Sequence, residues 1–181
     1  MTIFDSVWFQ TLVHLPPLSR LRRNHGLEHA TLHVLAQRFP GVSLIGYSDL
    51  GGFWVIGDVP PEAVQEAVQE ALRRLNAGEH NLALHAQCGT NIATAGALAG
   101  LAAGMAMLGA GRRLREKLER LPLAIVLATL ALMLAQPLGL LLQEKMTTSA
   151  QPGNLQVDKI VVTLRGSRAR PLKSYRVVTR G

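Results

Sequence analysis

GTNIATAGALAGLAAGMAMLGAG, residues 89–111, contains no charged side chain, and neither does LPLAIVLATLALMLAQPLGLLLQ, residues 121–143. A helix of about 20 apolar residues crosses a hydrocarbon core of roughly 30 Å, so each run is long enough to span one. A Gly/Ala-rich helix can also be the core of a large soluble protein. A chain of 181 residues is too short to wrap two such helices completely. The expected fold is therefore an α+β membrane protein, with two transmembrane helices plus a small soluble part of two helices and two β-hairpins.

The rest of the sequence divides around these runs. Residues 1–18, MTIFDSVWFQTLVHLPPL, lack the basic start and small-residue cleavage site of a signal peptide. They read as an interfacial segment, a short amphipathic helix with Trp8 and Phe9 at headgroup level. Residues 19–88 form an α-β-β-α soluble part. Ser19 is the expected N-cap of a helix that runs to about Phe39 and stops at Pro40-Gly41. VSLIGYSD and GGFWVIGDV then read as a hairpin turning at Asp49 to Gly52. Pro60-Pro61 opens the next helix, with Ala63, Val64, Ala67, Val68, Ala71, Leu72 and Leu75 on one face and Gly78 as its stop.

Residues 112–120 read as a charged loop between the spans, and Gln136-Pro137 is expected to kink the second span. Residues 144–181 are a polar linker, TTSAQPGN, and a second alternating hairpin, DKIVVTLRG with SYRVVTRG. Two spans return the chain to its starting side, so this hairpin can join the sheet of the first. Gly96, Gly100 and Gly104 repeat every four residues and leave one helical face nearly bare, a surface for a second helix or a homo-oligomer.

Charge narrows the partners. The net charge is +7, but the basic residues are scattered, with no stripe interleaved with aromatics, which argues against nucleic acid. Basic residues beside spans meet lipid headgroups, and the arginines of RARPLKSYR can do the same. Arg112, Arg113, Arg115, Lys117 and Arg120 argue for a cytoplasmic loop. The soluble part is basic as well, so the side it occupies stays open. Cys88 is the only cysteine, which excludes an intrachain disulfide.

The chemistry concentrates in RNHGLEHATLHVL, residues 23–35. On a helical wheel His25 and His29 share a side with Leu18, Leu21, Leu32 and Ala36, and Glu28 lies at its margin. His33 falls at the opposite edge. Burying an ionised carboxylate beside neutral imidazoles without compensation costs several kcal/mol, and a divalent cation compensates directly. His25 and His29 at i and i+4 project together, and His25-Gly26-Leu27-Glu28-His29 is H-x-x-E-H, the inverted zincin pattern. There the imidazoles hold zinc and the carboxylate takes a proton from water. The further downstream glutamate of that pattern is not reproduced, since no carboxylate follows Glu79 until Glu116. Gly26 costs about 1 kcal/mol in a helix interior, which points to close approach by another segment or a substrate.

His85-x-x-Cys88 supplies a second cluster just before the first span. His25, His29 and Cys88 make a three-ligand site with an open position. Adding His85 closes it into a structural one. Cys88 as plain packing, His80 and His14 at the surface, and His33 behind a ligand or at the surface are the simpler alternatives.

HGLEHATLHVL followed by HAQCGTN before a Gly/Ala-rich span resembles an uncharacterised family of bacterial membrane proteins. More remotely, it is similar to predicted metal-dependent membrane enzymes with HGAEH and HPRCGTS strings. The resemblance covers roughly residues 20–110 and implies His25, Glu28, His29, His85 and Cys88 as the polar site, with Thr90 and Asn91 nearby. Ala86 stands where that pattern has proline.

The expected function is a zinc-dependent hydrolase, a metallopeptidase, in a bacterial cell membrane, with a multi-pass topology. Glu28 is its general base. His85 is a fourth ligand or an oxyanion stabiliser, and the expected substrate is an extended peptide, a membrane-protein segment or a lipid-linked molecule. The alternatives are a non-catalytic zinc clamp and a metal-free membrane adaptor.

Overall fold

A computed structural model describes residues 3–111, 113–165 and 172–181. By packing, the chain divides into one unit of residues up to Leu84 together with Glu144–Gly181, and a second unit, His85–Gln143.

The first unit is α+β. Helix α1 (Val7–Val13) leads into α2 (Pro16–Arg38), followed by β1 (Ile45–Asp49), β2 (Gly52–Ile56) and α3 (Pro61–Asn76). Strands β3 (Gln156–Arg165) and β4 (Leu172–Arg180) complete an antiparallel sheet in the order β1-β2-β4-β3. The C-terminal hairpin thus joins the sheet of the first, through pairing of β2 with β4. Leu27, Leu35, Val64, Val68, Phe53 and Tyr175 fill the core. Tyr175 donates its hydroxyl proton to the Val59 carbonyl, which satisfies the one polar atom of a large buried ring.

The register explains where a polar group can enter this core. On the inner face Gly46 stands opposite Val55, and Val55 opposite Tyr175; Ser48 stands opposite Phe53, and Phe53 opposite Val177. The large residues lie on the central strands. The edge strand β1 contributes only a glycine and a serine, which leaves room beside them. On the outer face Tyr47 stacks on Trp54 at 6.0 Å, and the Arg176 guanidinium sits 5.3 Å from the Trp54 ring. The same guanidinium pairs with Asp49 at the hairpin turn.

Helix α2 differs from the sequence reading in two ways. It starts at Pro16 rather than at a Ser19 cap, so the Pro16-Pro17 pair belongs to its first turn. A proline there lacks only an N–H that has no intrahelical partner anyway. The buried surface is also not the single stripe expected. Leu18 and Ala36 are exposed, whereas Gly26 through Leu32, Val34 and Leu35 are all buried. The helix is covered on several sides at once, by the sheet and by α3, so a one-sided wheel misassigns its face.

The second unit pairs α4 (Gly89–Met107) with α5 (Leu114–Leu142). The charged stretch between the apolar runs is largely the first turns of α5 rather than a loop, with Glu116 accepting from the Arg113 N–H at the cap. Arg112 lies outside the described residues. Helix α5 runs on through Pro137 and is followed by a single π-helical turn, Gln143–Thr147. Both helices are long and apolar enough to cross a membrane by length and composition. The most apolar windows of the two helical segments are only 17% and 11% buried within the protein. An added Cβ at Gly139 of α5 would collide with Asn91 of α4, so that glycine is a contact notch. Gly96, Gly100 and Gly104 face open space.

Candidate functional site

Helix geometry places His25 and His29 one turn apart, with ring centroids 4.4 Å from each other. Each ring is oriented by a main-chain carbonyl from a distant segment. His25 Nδ1 donates to Thr147 O at 2.9 Å, and His29 Nδ1 donates to Ala83 O at 2.8 Å. A carbonyl only accepts, so both Nδ1 atoms carry a proton, and in the neutral ring Nε2 is the atom with the lone pair. This is the tautomer and support found behind metal-binding histidines. His33 makes a similar contact through its other nitrogen, Nε2 to Leu84 O at 2.7 Å, which fastens residues 83–84 to α2 a second time.

Gly26, between the histidine and the glutamate, is explained by its neighbour. An added Cβ would strike the Ser149 carbonyl, and the Ser149 N–H donates to Arg22 O at 2.9 Å. The approaching group is thus another segment of the same chain, residues 147–149, the one that supplies the His25 carbonyl. Asn24 performs a comparable task toward the sheet. Its amide donates to Asp49 O at 2.8 Å and its carbonyl accepts from the Thr179 hydroxyl at 2.7 Å.

Glu28 is 3% exposed and occupies the space left on β1. Its Oε2 accepts from the Ser48 hydroxyl at 2.6 Å. A side chain at Gly46 would collide with its carboxylate. Burial pushes the Glu28 carboxyl above the ordinary glutamate range, opposed by the Ser48 hydrogen bond and, to a lesser degree, by the electrostatic attraction of the nearby His25 imidazole in its protonated form. A carboxyl shifted upward in this way is a better proton acceptor near neutral pH than a solvated one.

In the second unit, Cys88 is buried and is the N-cap of α4, its sulfur accepting from the Thr90 N–H at 3.4 Å. The positive end of the helix dipole favours negative charge on that sulfur. The loop before it is pinned by Gln143. The Gln143 amide both accepts from the His85 N–H and donates to the His85 carbonyl, each at 3.0 Å, and donates to Asn91 Oδ1 at 2.7 Å. Asn91 in turn donates to Ala86 O at 2.7 Å.

Of the residues singled out by sequence, His25, Glu28 and His29 are brought together in the first unit, and His85, Cys88 and Asn91 in the second. His14 and His80 are exposed. Sequence reading did not point to Gly46, Ser48, Gln143 or the carbonyls of Ala83 and Thr147. Gln143 carried one faint signal, a polar residue ending an apolar run. The carbonyls carried none, because every residue has one.

Residues 20–160 match the model of a domain of unknown function, DUF6391. The chain belongs to this family. An uncharacterized protein of Picosynechococcus sp. (strain ATCC 27264 / PCC 7002 / PR-6) is 37% identical over 150 residues, covering 77% of this chain and 71% of the relative. No solved structure matches. The DUF6391 match spans both histidines, Glu28, His85 and Cys88, so every residue of the two clusters lies inside the family's domain.

Proposed function

We propose that this DUF6391 protein is a zinc-dependent hydrolase of a bacterial membrane, most simply a peptidase, in which His25, His29 and Cys88 hold the ion and Glu28 is the general base. The observation that carries the reading is the pair of Nδ1-to-carbonyl bonds, which orients both rings and makes Nε2 the ligand atom of each neutral imidazole. Their ring nitrogens and one thiolate form a donor set that suits zinc. Chain connectivity supports Cys88 as the third ligand. It follows Ala83, whose carbonyl holds His29, by five residues, a reach of at most about 18 Å. The ion would supply Lewis acidity, polarising a carbonyl and acidifying water. Glu28, buried and shifted upward, would accept the proton. Ser48 would aim that carboxylate. Strand β1, at the edge of the sheet and in contact with Glu28 through Gly46 and Ser48, would pair with an extended peptide. Membrane insertion through α4 and α5 is part of the reading. It is supported by the apolar windows that the protein itself leaves largely uncovered.

A second reading has one specific support. The His85 backbone is held at both its N–H and its carbonyl by Gln143, as a fourth ligand of a closed structural site would need. Metal analysis of purified protein separates the two. In the hydrolase, the wild type holds one zinc, Cys88→Ser and His29→Ala lose it, and His85→Ala keeps it. Glu28→Gln keeps zinc and loses cleavage of a fluorogenic peptide library. Zinc loss in His85→Ala favours the clamp, and a wild type without metal refutes both.

A further inference from the structure

His85, Ala86, Gln87 and Cys88 form a tight turn in which the Cys88 N–H donates to the His85 carbonyl at 3.2 Å, the bond that closes a four-residue turn. Two side chains converge on the same carbonyl. Gln143, the C-cap of α5, donates to it at 3.0 Å, and Asn91, in the first turn of α4, at 3.4 Å. Gln143 is fully buried, although it ends an otherwise apolar run. A buried amide costs free energy unless its polar atoms are satisfied, so its presence there is explained by what it bonds rather than by what it packs against.

One main-chain group sets the polarity of this network. The His85 N–H can only donate, so Gln143 Oε1 faces it. Gln143 Nε2 then points to the His85 carbonyl and to Asn91 Oδ1. That leaves Asn91 Nδ2 facing the Ala86 and His85 carbonyls. Gly139, one turn before Gln143 on α5, gives Asn91 its room, since an added Cβ would meet the Asn91 carboxamide oxygen and its Cα. Buried polar networks satisfied in this way rigidify what they touch. What this one touches is the turn that ends at Cys88, the N-cap of α4. We infer that Gln143, acting through Asn91 and the His85–Cys88 turn, is a positioning residue that fixes the Cys88 sulfur as a ligand. The inference rests on the hydrolase reading, in which Cys88 holds the ion.

The test compares the full-length wild type with Gln143→Met, which keeps the bulk and removes the hydrogen bonds, and with Gly139→Ala, which displaces Asn91. Tyr175→Phe, in the first unit, is the control for a general loss of stability. In metal-free protein in detergent, the Cys88 thiol is the only one in the chain. It reacts with a maleimide about 10- to 100-fold faster in the two variants, the scale of two or three hydrogen bonds removed from a closed turn, and at the wild-type rate in the control. After cobalt is added, the thiolate-to-cobalt charge-transfer band per bound ion is weaker in both variants than in the wild type and the control. Wild-type alkylation rates in both variants overturn the inference, because the turn then holds without Gln143. Equal acceleration in Tyr175→Phe overturns it as well, because the turn then opens only with the whole protein. So does a charge-transfer band of wild-type intensity in Gln143→Met. A wild type that takes up no cobalt refutes the hydrolase reading. Faster alkylation in the two variants then still supports Gln143 as the lock of the turn, and unchanged alkylation sinks both.

Discussion

Replacing Gly26 by alanine sets two effects of opposite sign against each other. Inside a helix, alanine is favoured over glycine by about 1 kcal/mol, so helix propensity alone predicts a more stable protein. The structure predicts the reverse, because the new Cβ would collide with the Ser149 carbonyl, which is backbone and yields only if the segment moves. Moving residues 147–149 off α2 breaks two hydrogen bonds, Ser149 N–H to Arg22 O and His25 Nδ1 to Thr147 O, of about 1 kcal/mol each. It also re-exposes methyl groups of Thr148 and Ala150, which now pack inside, for roughly another 1 kcal/mol. The net expectation is a loss of about 2 kcal/mol, read by denaturant unfolding in detergent. A second readout is independent of global stability. In the proposed zinc site, His25 without its carbonyl would bind the ion about 10- to 100-fold more weakly, measurable by chelator competition. An alanine variant as stable as wild type, or more stable, would show that residues 147–149 do not occupy the glycine notch, and the argument for the His25 tautomer would fail with it.

Three further outcomes follow from the same geometry. Because the folded pKa of Glu28 is raised, metal-free protein is stabilised by its protonated form at acid pH and loses that stability as pH rises from the unfolded value through the folded one. Glu28→Gln flattens this slope, and an unchanged pH–stability profile would contradict the burial of an ionisable carboxyl. Ser48→Ala removes the hydrogen bond that holds the Glu28 carboxylate down, so the same titration shifts to higher pH, seen by carboxyl infrared difference spectra of the wild type and the variant. Tyr175→Phe leaves the buried Val59 carbonyl without its donor and lowers stability by about 1–3 kcal/mol, read as a lower denaturation midpoint with an unchanged slope.

The sequence by itself determined whatever depends on neighbours within a few residues. The two uncharged runs, the amphipathic α3 between Pro61 and Asn76, the turn between β1 and β2 and the i, i+4 pairing of His25 with His29 are all consequences of local periodicity and turn chemistry. Even locally two rules compete: a Pro-Pro pair can break a helix or open one, and here Pro16-Pro17 opens α2 ahead of the Ser19 cap that the sequence suggests. Tertiary structure alone decided which strand lies beside β2, and that residues 83 and 147, 54 and 122 positions away from their partners, orient the histidines. It also decided that Glu28 enters the core where β1 offers Gly46 and Ser48. The physical reason is the same in each case. Backbone carbonyls and missing side chains leave no mark on hydrophobic patterning, so what they hold becomes visible only once the segments have met.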